Sequence, residues 1–234
     1  MIWEGLGEEK EYTPSHWRIL EEKRSKAKRL VEALQPLRAP VVVHGSIARG
    51  DVREDSDIDV VLLEPVPPSM VELLLEKAGY RVYYREVVQA TPGYVPKVYY
   101  YLDEREEKVV SHPLARLRPR EREFYKWGGE LDYEGLARGK RVPGVSKELR
   151  LIIPTPSGHV EMEVEGNEHL VARIVGVSIE TVLERVRVLT RRREHGRTGV
   201  FLKVEVPPGV SVEETVERLR GENPYFRRMT QGTL

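Results

Sequence analysis

Two aspartates two residues apart, Asp57 and Asp59, open an apolar run, and ten residues before them an earlier apolar run ends in Gly45-Ser46. Residues two apart on a strand share a face, roughly 6.6 Å apart along the backbone. The two carboxylates can therefore converge on one or two divalent cations, and hard oxygens suit magnesium or manganese. The Gly-Ser turn leads into a helix expected over residues 47–52, and it offers backbone N–H groups and a hydroxyl to an anion such as a polyphosphate. Metal carboxylates together with a phosphate cradle are the equipment of phosphoryl or nucleotidyl transfer, where positioning and charge neutralisation carry most of the rate. Arg49, one helical turn past Ser46, points either to a phosphate or to solvent.

The elements that must position these groups lie in residues 41–63, VVVHGSIARGDVREDSDIDVVLL, which read as strand, glycine turn, short helix, charged loop and strand. The combination of Gly45-Ser46, ten residues and Asp57-x-Asp59 between apolar strands resembles the signature of the DNA polymerase β-like nucleotidyltransferase superfamily. The string GSIARGDVREDSDIDVVLL is closest to its minimal nucleotidyltransferase branch, and the resemblance spans about residues 39–102. It implies an α/β (α+β) fold, a mixed sheet with helices on one side. It also implies an NTP whose α-phosphate is attacked by an acceptor hydroxyl, with Gly45 and Ser46 on the triphosphate and Asp57 and Asp59 on magnesium or manganese. A third carboxylate is implied on a later strand beside the first two. Residues 97–102, KVYYYL, are expected to be that strand, with Tyr99 and Tyr100 where an acid would stand. Asp103 at its end is taken as the third catalytic acid, with Glu86 on the preceding strand as the alternative.

The remaining chain sets the context. Lys+Arg 38 balance Asp+Glu 38, so net charge announces no nucleic-acid partner, and with Cys 0 neither a disulfide framework nor a thiolate metal site is possible. No apolar run of about eighteen residues occurs, so a soluble cytoplasmic protein without membrane contact is expected. Residues 15–34 read as a helix capped by Ser15 and stopped by Pro36, with a basic outer face read as solvated. A second helix is expected over residues 69–78, capped by Ser69, then a strand over residues 80–89. His44 is read as packing at a strand end. Residues 112–126 are basic and read as a mixed-charge linker helix or a phosphate-contacting edge. Residues 128–144 have no sustained periodicity and read as a junction between a nucleotidyltransferase domain, residues 1–145, and a second domain, residues 146–234.

In that second domain, strands are expected over residues 149–153 and 159–164, then a helix from Asn167. Ala172, the turn Gly176-Val177-Ser178, and Thr181, Val182 and Val186 resemble the helix-turn-helix pattern of DNA-binding regulators, and residues 199–206 would supply the strand of a wing. Residues 171–203 carry eight basic against three acidic side chains. RNA or DNA contact is accordingly assigned to Arg185, Arg187, Arg191, Arg192, Arg193 and Arg197. Ser211 and Glu214 have capping-box spacing, and residues 223–234 read as a tail. The expected function is metal-dependent transfer of an NMP to RNA, a protein or a small molecule. The other readings are a nucleic-acid-binding regulator with an inactive, nucleotide-binding domain, and the modifying partner of a toxin-antitoxin pair. The sequence leaves the oligomeric state open.

Overall fold

In the computed structural model, residues 7–196 and 199–231 are described. The chain opens with β1 (Glu8–Glu11) and the long helix α1 (Pro14–Leu34), followed by a single 3-10 turn, Gln35–Leu37. The Thr13 hydroxyl, not Ser15, accepts the His16 N–H at the start of α1. Next come β2 (Val41–His44), α2 (Ser46–Arg49), β3 (Ile58–Leu62), α3 (Pro68–Lys77), β4 (Tyr84–Gln89), β5 (Lys97–Tyr101) and β6 (Lys108–Pro113). They are followed by α4 (Pro119–Gly128), β7 (Glu130–Asp132), α5 (Tyr133–Ala137), β8 (Gly144–Val145), β9 (Arg150–Pro154) and β10 (Gly158–Glu163). The chain ends with α6 (Glu168–Val175), α7 (Ile179–His195), β11 (Leu202–Glu205), α8 (Val212–Glu222) and α9 (Pro224–Thr230).

Two compact units emerge, and they do not fall on either side of residue 145 as expected. One holds the described residues of Met1–Lys28, Val43–Ser56 and Pro119–Thr198, the other Arg29–Val42, Asp57–Arg118 and those of Gly199–Leu234. Residues 128–144 are thus no junction. Their short elements belong to the first unit, because Leu131 and Leu136 are buried there and Asp132 caps α5 by accepting the Gly135 N–H.

The second unit is built on a mixed sheet in which β11, β4, β5, β6 and β3 are successive neighbours. Among these five strands, β3 and β6 pair parallel and the other neighbours antiparallel. Strand alternation sorts its side chains: Ile58, Val60, Leu62, Val87, Val98, Tyr100, Val110 and His112 are buried, while Tyr84, Tyr99 and Tyr101 on the other face are half-buried. Helices α3 and α8 pack together, and α8 also touches β4. The Ser211–Glu214 capping box starts α8 as expected. Asn223 caps α9 where a tail was expected, its side chain accepting from the Tyr225 and Phe226 N–H groups. Ser69 is not the cap of α3; its N–H donates to the Glu213 carboxylate. β6 went unread in the sequence, and residues 199–206 do not form a wing: β11 pairs antiparallel with β4, Leu202 opposite Gln89.

His112 is the titratable group at the centre of this unit. Its Nδ1–H donates to the Pro113 carbonyl at 3.0 Å, which leaves Nε2 to accept the Tyr100 hydroxyl at 3.0 Å, so the neutral ring is the form that fits. Burial pulls its pKa from the usual 6.5 down to about 4. A folded-state pKa below the unfolded one means that stability is complete above pH 6.5 and falls with acidification until pH is about 4. The loss is of the order of 3 kcal/mol. Urea titrations from pH 7 to 4 should show this loss shrink in His112→Gln; an unchanged acid slope would show that other groups cause it.

The first unit has the sheet β1-β10-β9-β8. The two expected strands are there, and they form a hairpin: β9 and β10 pair antiparallel, Pro154 opposite His159. Trp127, Leu149, Leu151, Ile153, Met162 and Val164 form its core with Val171 of α6 and Val182 and Leu189 of α7. The α6–α7 turn follows the sequence reading. Gly176 adopts the left-handed conformation at φ 71°, and the Ser178 hydroxyl accepts the Thr181 N–H to cap α7.

Candidate functional site

The Gly45-Ser46 turn lies in the first unit. Gly45 has φ 83° and ψ −142°, a conformation that side chains exclude. Its N–H donates to the Gly129 carbonyl at 2.9 Å, and its own carbonyl takes the N–H groups of Ala48 and Arg49. Gly50, at φ 110°, ends α2 after one turn, so the helix stops short of the expected residue 52. Among the described residues, the N–H groups of Ser46 and Ile47 meet no acceptor, as an anion cradle requires. The other end of α2 is held by Arg24 of α1, whose guanidinium donates to the Ile47 and Ala48 carbonyls at 3.0 and 3.1 Å. His16 Nε2 donates to the Gly50 carbonyl at 2.8 Å.

Arg49 does not stand in solvent. It is buried, and its Nε and Nη2 form a two-pronged pair with Asp51 at 2.9 and 2.8 Å. Nη1 donates to the Gly128 carbonyl at 2.5 Å. The guanidinium proposed for a phosphate is therefore engaged within its own unit, tying the turn after α2 to the end of α4. His44 packs as expected, against the rings of Phe124 and Tyr125 at 5.3 Å.

Asp57 and Asp59 lie in the second unit. Asp57 is exposed immediately before β3, and Asp59 is half-buried as its second residue. Both alternate with Ile58 and Val60, which point into the core, so both carboxylates leave the opposite face. The strand order changes the reading of the third acid. β5, the KVYYYL segment, is not the neighbour of β3; β6 lies between them. The register runs Asp59, Val109, Tyr101, Tyr84 across four strands. Asp103 serves the β5–β6 turn: one oxygen accepts the Glu107 N–H at 2.9 Å and the other stands 3.4 Å from Lys108 Nζ. Glu86 shares the face of Asp59 but sits on β4, where it accepts the Tyr101 hydroxyl at 2.9 Å and pairs with Lys203 at 2.9 Å. Burial, then that bond to Glu86, pushes the Tyr101 hydroxyl well above its ordinary pKa.

Sequence reading did not weigh Glu107, an exposed acid 3.9 Å from Arg105 Nη1. Since Ile58 is level with Lys108, Glu107 is level with Asp57, and the Ile58 N–H donates to the Glu107 carbonyl at 2.7 Å. The signal was the VVSH run after REEK, short and without alternation, which only pairing with β3 turns into a strand. Among the described residues, no three His, Asp or Glu side chains gather tightly enough to hold a metal by themselves.

The α6–α7 pair has its own electrostatics. Arg173, Arg187, Arg191 and Arg192 are exposed, Arg193 pairs with Glu165 at 3.1 Å, and Arg185 stacks over Phe124 at 4.9 Å. Arg197 lies outside the described residues. At the start of α7, Glu123 of α4 accepts the Ser178 hydroxyl at 2.7 Å and also the Thr181 hydroxyl. Burial raises the Glu123 pKa, but these bonds outweigh it and hold the carboxyl below its ordinary range. A helix start tied to a carboxylate is closed to a phosphate or a base edge.

The family model described as a nucleotidyltransferase domain matches residues 24–117, which take in Gly45, Ser46, Asp57, Asp59 and all strands from β2 to β6. This stretch, similar to a nucleotidyltransferase domain, has a mixed α/β structure. No match was found among the curated proteins. Among the described residues, no helix is long and apolar enough to cross a membrane.

Proposed function

We propose that the chain transfers an NMP from an NTP to an acceptor hydroxyl. The acceptor oxygen forms a bond to the α-phosphorus, the bond from that phosphorus to the bridging oxygen breaks, pyrophosphate leaves, and the hydroxyl proton passes to a base. The observation that carries this reading is that Asp57, just before β3, and Asp59, on it, alternate with the buried Ile58 and Val60, within a nucleotidyltransferase match that also contains the Gly45-Ser46 turn. Two carboxylates fit magnesium or manganese, hard cations that prefer oxygen ligands. Asp57 and Asp59 would hold the ion, which when bound neutralises charge developing on the phosphates. Ser46 and Ile47 N–H groups would hold phosphate oxygens, and Arg49 keeps their turn in shape through Asp51 and Gly128. Asp103 is given to its turn, so Glu107, level with Asp57, is the carboxylate proposed to take the acceptor proton. The test is transfer of label from α-labelled ATP, CTP, GTP and UTP into the RNA, protein and small molecules of a cell extract, with magnesium or manganese, comparing the wild type with Asp59→Asn.

A second reading, a regulator that binds nucleotide without turnover, is favoured by Val109, which stands level with Asp59 where a carboxylate would complete the set. Label transfer by the wild type alone would remove it.

For an RNA or DNA partner, the supporting surface is the outer face of α7, with Arg187, Arg191 and Arg192, not its start. Replacing these three with alanine should lower affinity for single-stranded RNA and duplex DNA and reduce the salt slope of binding by about two to three. Equal slopes in variant and wild type would show that α7 does not contact nucleic acid.

A further inference from the structure

One face of α1 carries a pocket of about 410 Å³ that the proposed transfer reaction does not use. Its walls are Trp17, Leu20, Arg24 and Lys28 of α1 with Leu136 and Arg141 from α5 and the turn after it. The α1 positions fall at helical spacing, which brings them onto one side. Glu21 is the one acid among the lining residues.

Among the described residues, the three cations are held without a counter-charge. Arg24 donates to the carbonyls of Ile47, Ala48 and Lys140, all neutral acceptors. Arg141 donates to the carbonyls of Gly158 and Thr155 and lies over the Trp17 ring at 4.8 Å. Lys28 stands over the Tyr133 ring at 5.3 Å. Among the described residues none of the three pairs with a carboxylate. Burial first, and then the Arg141 guanidinium, pull the Arg24 pKa down to about 10, the signature of two like charges facing each other in a partly dry site. Carbonyls orient a guanidinium but do not neutralise it, so the pocket keeps a positive potential over an apolar floor.

We infer that this pocket binds an organic phosphomonoester, its phosphate among Arg24, Lys28 and Arg141 and its apolar or aromatic body against Leu20, Leu136 and Trp17. A doubly charged anion matches three cations and one acid better than a carboxylate does. The volume suits a ligand of mononucleotide size, since pockets for such molecules start at about 300 Å³. Arg24 links this site to the Gly45-Ser46 turn, because the same guanidinium closes the carbonyl end of α2.

AMP, adenosine and inorganic phosphate serve as probes in calorimetric titrations of the full chain without metal, in the wild type, Lys28→Glu and Lys28→Met. AMP should bind, adenosine should bind about tenfold more weakly or less, and inorganic phosphate should displace AMP. Lys28→Glu should weaken AMP about tenfold or more, with Lys28→Met between it and the wild type, all three melting alike. Lys28 is half-exposed, so neither substitution removes core packing. Absence of AMP binding, equal affinity for adenosine, or an affinity indifferent to both Lys28 variants would overturn the inference. The last result is also what AMP seated on the Gly45-Ser46 turn would give.

Discussion

Asp59→Asn should lower the rate of label transfer by roughly 10³-fold or more. The amide keeps the shape of the carboxylate but removes its charge, and half of its hydrogen-bonding capacity becomes donor, which a cation repels. Asp59 is half-buried on the sheet face opposite the core, so β3 loses no packing when it is replaced. Asp57→Asn should act in the same direction. Glu107→Gln should cost about 10²-fold or more if Glu107 is the proton acceptor, whereas Asp103→Asn should act mainly on the β5–β6 turn, through stability. Activity of Asp59→Asn within about tenfold of the wild type would sink the metal assignment.

The second large effect is on stability. Arg49→Met should destabilise the protein by about 3 to 5 kcal/mol, a drop of roughly 10 °C in melting temperature for a chain of this length. The reason is what stays behind. The Arg49 and Asp51 side chains are only 7% and 15% exposed, so removing the guanidinium strands a carboxylate in a poorly solvated place. The Gly128 carbonyl loses its donor at the same time. Asp51→Asn added to Arg49→Met should return part of the loss, because the stranded charge is gone; a double-mutant cycle in thermal denaturation measures the coupling. A single-variant melting temperature within about 2 °C of the wild type would mean that the pair is no better than a surface salt bridge.

The local rules of the chain determined much of the site. The valine run, Gly45 and the alternation around Asp57-x-Asp59 require a strand, a glycine-only turn and two carboxylates on one face, because each follows from sterics or strand period within a few residues. The α6–α7 turn and the capping box of α8 were legible for the same reason. Tertiary structure decided the rest, wherever a residue's meaning depends on a partner far along the chain. Arg49 reads as reaching either a phosphate or solvent until Gly128, seventy-nine residues away, claims its Nη1. Residues 199–206 alternate as any strand does, but only pairing with β4 makes them an edge of the sheet and not a wing. β6 contains a histidine that becomes a core residue when Tyr100 satisfies it, and its insertion between β3 and β5 moves the level of Asp57 from the tyrosine strand to Glu107. Strand period fixes which face a side chain leaves, but strand order, set by burial and by long-range hydrogen bonds, fixes which side chains meet there.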